Sequence, residues 1–391
     1  MTDLSFYSII PYKDYLIKLD KPISGFAYYK NHAINLLTGE KIVSNFSNWI
    51  SSLEKKKINE ETIHPRVIHL FYELGFYIEN ELAYIAEETL LAIDCEYEKF
   101  QKISPGLPPQ IKLKLKSSPN IVQYKKDFDK GYVELLQGNC YQFNLTCPYE
   151  YSFDEDYEPL DFVFSLWKNE RKRGAFGSAT YIPIFKKLYL SNSPECLFQF
   201  KGNTLSSMPI KGTFKRVDCA DWKPLWKKLK RDKKSQAELY MISDLLRNDL
   251  SRIEKPQAQI VKKKFPKLVP GLIHQCSQID VELSDNVSLW RVIEKIFPGG
   301  SITGAPKLRA MRLIYQLEKR HRGFYCGSTL ILLKKMKSAS INIRSGEIDF
   351  TTENRTLLFQ AGGGITLLSE AEDEFQEMTY KHNSFIDTLT L

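Results

Sequence analysis

No apolar run in this chain is long enough to cross a bilayer as a helix. Thr329-Leu330-Ile331-Leu332-Leu333 is among the longest, whereas a spanning helix needs about 20 apolar residues. The apolar content, 43% of 391 residues, therefore has to be buried by the chain folding on itself. That suffices for a large core, in one big domain or two intertwined ones. Ser24-Gly25-Phe26-Ala27-Tyr28-Tyr29 and Asn139-Cys140-Tyr141-Gln142-Phe143-Asn144-Leu145-Thr146 read as strands. Residues 66–77, 124–137, 235–250 and 289–297 read as helices. In the third of these, Leu239, Ile242, Leu246 and Leu250 fall at spacings of three or four. Residues 324–333 and 356–360 are expected as strands. A helix is expected over 306–319, with Pro306 at its first position, and an acid-rich one over 369–389. Pro105-Gly106-Leu107-Pro108-Pro109 interrupts the pattern. It sets a soft boundary between an N-terminal subdomain, 1–115, and a larger part, 116–391.

The net charge of +8 favours an anionic partner, and an acidic metabolite or a nucleic acid would satisfy it equally. The lysine-rich run 221–234 comes without a zinc finger or an RNA-recognition signature. It reads as a solvated helix or loop, so no nucleic-acid partner is expected. Seven cysteines form no CxxC pair, and their scatter points to reduced thiols in the cytosol. Met1-Thr2-Asp3-Leu4 lacks a basic n-region, so no signal peptide is expected. The expectation is a soluble cytoplasmic protein with no membrane partner.

Chemistry concentrates in a few polar clusters. Pro209-Ile210-Lys211-Gly212-Thr213 holds one lysine between two chain breakers, sixteen residues after Ser193-Pro194-Glu195. A lysine so held can be buried, lose its proton and act as a nucleophile, and a nearby carboxyl can serve as its acid partner. Glu374, Glu377 and Lys381 share one helical face by their offsets of three and four. Such a face can bind a divalent cation beside an anion, or it can be an ordinary surface ion pair. Glu238 supplies a further carboxylate, and magnesium takes a few of these together with waters. Gln360-Ala361-Gly362-Gly363-Gly364-Ile365 lets a backbone approach a ligand closely or turn sharply. Residues 297–307, rich in glycine and hydroxyl groups, open a helix and could receive a carboxylate or phosphate, but the GK[ST] ending of a P-loop is missing. Tyr325 and Arg344, placed on predicted strands, could hold a carboxylate. His274 stands in no HExxH or Ser-His-Asp spacing.

These segments, in this order from about residue 124 to 389, resemble the chorismate-utilising enzymes. That family includes the anthranilate, isochorismate, salicylate and aminodeoxychorismate synthases. The resemblance implies an α/β (α+β) body of two interleaved halves. Their large, mostly antiparallel sheets pack face to face, with helices outside and the site in the central cleft. Within the family, Pro-Ile-Lys-Gly-Thr resembles the aminodeoxychorismate synthase component I branch, because anthranilate synthases typically carry alanine in place of the lysine. The implied reaction is amination of chorismate at C4, through a Lys211 adduct at C2, on the way to 4-aminobenzoate and folate. Glu195 is the implied acid. Glu238 and Glu377, with Glu374 bound directly or through water, are the implied Mg²⁺ ligands. Tyr325, Arg344 and Lys381 would grip the enolpyruvyl carboxylate, with His274 near the ring. Gln142 takes the place of a lysine base in the water-activating members. Thr213, Thr303, Gly304, Gly362, Gly363 and Gly364 complete the implied substrate contacts. No cysteine stands in a nucleophile-elbow setting, so a separate glutamine amidotransferase subunit is the implied ammonia donor. The alternatives are anthranilate synthase component I, which Lys211 disfavours, and a non-catalytic chorismate-binding paralogue, which intact Glu195, Lys211, Glu238 and Glu377 disfavour.

Overall fold

The computed structural model describes residues 5–43, 46–215, 221–255, 257–269, 272–351 and 354–390. Side chains are also left undescribed at a few further positions, Thr213 among them.

One antiparallel ladder can be followed through the molecule. Strand Gln142–Ser152 pairs with Asn354–Ile365, and the order continues through Ser345–Thr351, Lys187–Ser191, Ser178–Ile182 and Tyr7–Tyr12. Tyr15–Tyr29 follows, and it also pairs with Leu90–Ile103. Arg66–Leu70, Ser328–Leu333, Met336–Ser340, Cys196–Lys201 and Thr204–Met208 come next. Leu272–Glu282 follows, flanked by Ile210–Lys215 and Gln259–Val269. The strands that precede residue 115 thus sit mid-ladder, between two groups of later strands.

Three apolar cores result. One packs helices Ile121–Leu136 and Ala371–Thr390 onto the Gln142–Ser152 end of the sheet, through Phe128, Phe143, Phe359, Met378 and Phe385. A second packs Phe46–Lys55, Lys233–Ser251 and Leu289–Ile296 onto the opposite end, through Trp49, Leu246, Ile293 and Phe198. The third contains strand and near-strand residues such as Ile17, Val67, Ile93, Tyr97 and Ile331. There the sheet closes onto itself face to face. Side chains on alternate residues supply these faces, as a pleated strand requires. Asn120, Asp232 and Ser288 cap three of the helices by accepting from Val122, Ser235 and Arg291 amides.

Most elements fall where the sequence puts them, and four places differ. Residues 66–77 are not one helix: Arg66–Leu70 is a strand paired on both edges, and only Leu74–Ile78 is helical. Val67 and Ile68 are β-branched and fully buried, so cross-strand packing overrides the helical spacing. Tyr325 is not on a strand, which begins only at Ser328. Arg344 lies in the turn between Met336–Ser340 and Ser345–Thr351. The run Gly362-Gly363-Gly364 is neither turn nor loop. It continues its strand, opposite Thr146, Leu145 and Asn144.

A buried ion pair ties together the segments that surround the central cavity. Arg322 and Glu318, each with a side chain 1% exposed, meet at 2.7 Å. Arg322 also donates to the carbonyls of Ile302 at 2.8 Å and Asn144 at 3.0 Å. Gln360 donates to the Arg322 carbonyl at 2.8 Å. The four N–H bonds and the ring of Tyr72, 4.8 Å away, offset the desolvation of a charge this deep.

Candidate active site

Lys211 stands on strand Ile210–Lys215, where the ladder to Leu272–Glu282 slips by one residue. Gly212 makes that bulge with φ of +75°, and a Cβ there would lie 2.7 Å from Ser235. The close approach brings the start of helix Lys233–Ser251 against the lysine strand, so Glu238 and Lys211 line the same cavity. His274 faces Thr213 across the ladder and also lines it.

Glu195 enters from the connection between Lys187–Ser191 and Cys196–Lys201. Ser193 Oγ donates to the Ile341 carbonyl at 2.5 Å and accepts from the Glu195 amide at 3.1 Å. The Ile341 amide donates to the Glu195 carbonyl at 3.1 Å. The Glu195 backbone is thereby fixed, and its side chain is buried. Burial pushes its pKa up, against the pull of the Ser301 hydroxyl and of Lys211, Lys381 and Lys267. A carboxyl so placed is suited to keeping a proton and giving it away.

The opposite wall comes from the last helix and the glycine strand. Lys381 Nζ donates to the Gly362 carbonyl at 2.9 Å and pairs with Glu377 at 2.8 Å. Ser369 donates to the buried Glu374 at 2.7 Å. A Cβ on Gly363 would stand 3.0 Å from the Glu374 carboxylate, and one on Gly364 2.7 Å from Gln142 Nε2. Glycine is what lets this strand carry polar groups over both of its faces.

The resulting cavity holds about 540 Å³. It brings together Lys211, Glu195, His274, Tyr325, Arg344 and Lys381 with the three glycines and with Glu238, Glu374 and Glu377. Burial raises the Tyr325 hydroxyl far above its usual range, so it is neutral, and burial also lowers Arg344. An arginine still keeps its charge. Gln142 is 1% exposed, and both ends of its amide lack a hydrogen-bond partner among the described residues. It sits directly behind Gly364. Thr303 and Gly304, expected as substrate contacts, are buried and are not among the residues that line the cavity. Thr303 Oγ1 donates to the Gly299 carbonyl at 3.0 Å, its carbonyl accepts from Asn144 N at 2.9 Å, and Gly304 pairs with Phe143. The Thr213 side chain lies outside the described residues. Asn144, Ser301 and Tyr380 also line the cavity without having been singled out from sequence. Asn144 shares a strand face with Gln142 by its offset of two. Ser301 belongs to the hydroxyl-rich loop, and Tyr380 adjoins Lys381.

The donor set fits a hard divalent ion, since Glu238, Glu374 and Glu377 bring carboxylate oxygens to one cavity. Among the described residues no three His, Cys, Asp or Glu side chains form a ready cage. A magnesium site does not need one, because this ion is commonly held by one or two carboxylates plus water and substrate oxygens.

His274 gives a pH prediction. Burial, with Arg344 and Lys267 nearby, depresses its pKa from 6.5 to about 4. The folded state therefore favours the neutral ring. The stability linked to it is complete above pH 6.5 and is lost as pH falls through about 4. His274→Gln is expected to lessen acid destabilisation across that window, read as a urea midpoint less dependent on pH.

Residues 67–387 match the family model described as chorismate binding enzyme. The chain belongs to the chorismate binding enzymes. Among relatives, aminodeoxychorismate synthase component 1 of Salmonella typhimurium is 34% identical over 272 residues, 68% of this chain and 57% of that protein. Anthranilate synthase component 1 of Archaeoglobus fulgidus is 31% identical over 261 residues, 66% of this chain and 60% of the relative. The matched part of the chain thus spans somewhat over half the length of these relatives. In three dimensions, anthranilate synthase component I from Streptococcus pneumoniae superposes with a TM-score of 0.75 at 20% identity, over 96% of this chain and 92% of that one. The menaquinone-specific isochorismate synthase of Escherichia coli superposes at 0.68 with 15% identity, over 99% and 88%. These likenesses establish the α+β chorismate binding enzyme fold. Among the described residues no helix is long and apolar enough to cross a membrane.

Proposed function

We propose that this chorismate binding enzyme aminates chorismate at C4, giving 4-amino-4-deoxychorismate for 4-aminobenzoate and folate synthesis. The observation that carries the reading is that Lys211 and the buried Glu195, whose pKa burial raises, line one cavity. Similarity to proteins named aminodeoxychorismate synthase component 1 supports the same reading.

In this reading the Lys211 amine attacks C2 of the ring. The double bonds shift, the C4–O bond breaks, and the hydroxyl leaves as water with the proton of Glu195. Ammonia then bonds to C4, the double bonds shift back, and the C2–Nζ bond breaks. Lys211 departs as the free amine, and the proton that the new C4 ammonium gives up returns to Glu195. The net change is chorismate plus ammonia to aminodeoxychorismate plus water. Tyr325, Arg344 and Lys381 orient the enolpyruvyl carboxylate, and Arg344 suits it by its fork of donors. Glu238 and Glu377, with Glu374, would hold Mg²⁺, which when bound polarises the ring carboxylate and eases loss of the hydroxyl. A separate glutamine amidotransferase subunit would supply the ammonia.

The test is consumption of chorismate by the purified protein. We expect turnover with an ammonium salt and Mg²⁺, and its loss on chelation. Turnover that needs neither ammonium nor a divalent ion contradicts the proposal.

A further inference from the structure

We propose that Asn342 is a positioning residue that fixes Tyr325 and Arg344 relative to Glu195. This rests on the reading that Tyr325 and Arg344 grip a substrate carboxylate. Two residues of this wall hold left-handed backbone without being glycine: Arg344 at φ +51° and Cys326, next to Tyr325, at φ +63°. Such backbone is unfavourable for an L-residue and persists only where its surroundings over-determine it.

Asn342 stands between the two turns. Its carbonyl accepts from the Cys326 amide at 2.8 Å, and its amide donates to the Gly327 carbonyl at 2.9 Å. On its other side, Asn192 N donates to the Arg344 carbonyl at 3.0 Å, and Ile341 N donates to the Glu195 carbonyl at 3.1 Å. One four-residue segment, 341–344, therefore bonds to the Glu195 backbone and to Cys326 and Gly327 beside Tyr325, and itself contains Arg344. The Asn342 side chain is fully buried. Its Oδ1 accepts from Thr329 Oγ1 at 3.0 Å and Ser340 Oγ at 2.8 Å. Thr329 Oγ1 is in turn 2.9 Å from the ring of the buried His69. The segment is thus anchored in the sheet at its middle residue. The Asn342 Nδ2 is buried without a partner among the described residues, which costs stability. Its contribution therefore lies in the oxygen that ties the two turns to the sheet.

The test uses the full chain with Asn342→Ala, Arg344→Ala and the double variant, assayed with chorismate. A loosened grip acts on binding, so KM should rise about tenfold or more with kcat kept within about threefold. Because Asn342 acts through Tyr325 and Arg344, the double variant should lose less than the sum of the two single losses, whereas fully additive losses overturn the proposal. A readout independent of substrate is hydrogen exchange in peptide 324–328. The Cys326 amide should exchange about tenfold faster in Asn342→Ala, while helix Ala371–Thr390 stays unchanged. Unchanged exchange at Cys326 overturns the proposal. If Asn342→Ala does not fold, Ser340→Ala removes one of the two side-chain anchors and is read in the same way. If the unaltered protein leaves chorismate intact, the functional reading fails, and the exchange experiment still decides the role of Asn342.

Discussion

Replacing Lys211 by alanine is expected to lower 4-amination of chorismate by about a hundredfold or more. The lysine is half-buried on the cavity wall, beside a glycine bulge that leaves its side chain no shared load in an apolar core. Its removal should therefore leave the fold intact and chorismate affinity within about threefold, so that the loss falls on kcat. Without the amine at C2, ammonia arriving at C4 has no leaving group at C2 to expel. Any remaining product should then shift toward amination at C2. The check is chromatographic separation of the two amino isomers formed by the variant. Undiminished 4-amino product would remove the nucleophile from the scheme.

Glu195→Gln is expected to cost about a hundredfold in kcat, the usual worth of a positioned acid. The pH dependence sharpens this prediction. Burial raises the Glu195 pKa above its ordinary value. The acid form, and activity that needs it, is present below that raised pKa and is lost as pH rises through it. The unaltered protein should show this falling alkaline limb, and Glu195→Gln should lack it. Stability has the same sign, because the linked contribution is complete below the unfolded pKa and disappears as pH climbs through the folded one. Glu195→Gln should remove that decline as well. A pH–rate profile and urea midpoints at two pH values measure both effects. An alkaline limb that survives in the variant would assign it to another group.

Side-chain chemistry was more legible in the sequence than backbone conformation. Lys211, Glu195 and the helical face of Glu374, Glu377 and Lys381 could be picked out by residue type and spacing, and the structure brings them to one cavity. The turns at Tyr325 and Arg344 could not. Cys326 and Arg344 take positive φ as ordinary L-residues, so no glycine announced them. The glycine run left two readings open, close backbone approach and sharp turn, and the structure follows the first. Glycines usually mark turns, but here Gly362, Gly363 and Gly364 stay in register with Gln142–Ser152. Gln142 and Glu374 occupy the space that side chains would fill. Strand order was out of reach because partners such as Arg66–Leu70 and Ser328–Leu333 lie far apart in sequence. Helix positions were easier, since the 3.6-residue period is local.

The most direct measurement is the structure of the amine formed when the purified protein meets chorismate, Mg²⁺ and an ammonium salt. Proton NMR of the isolated product should place nitrogen on C4, with the enolpyruvyl group retained. Nitrogen on C2, or isochorismate in its place, would contradict the account.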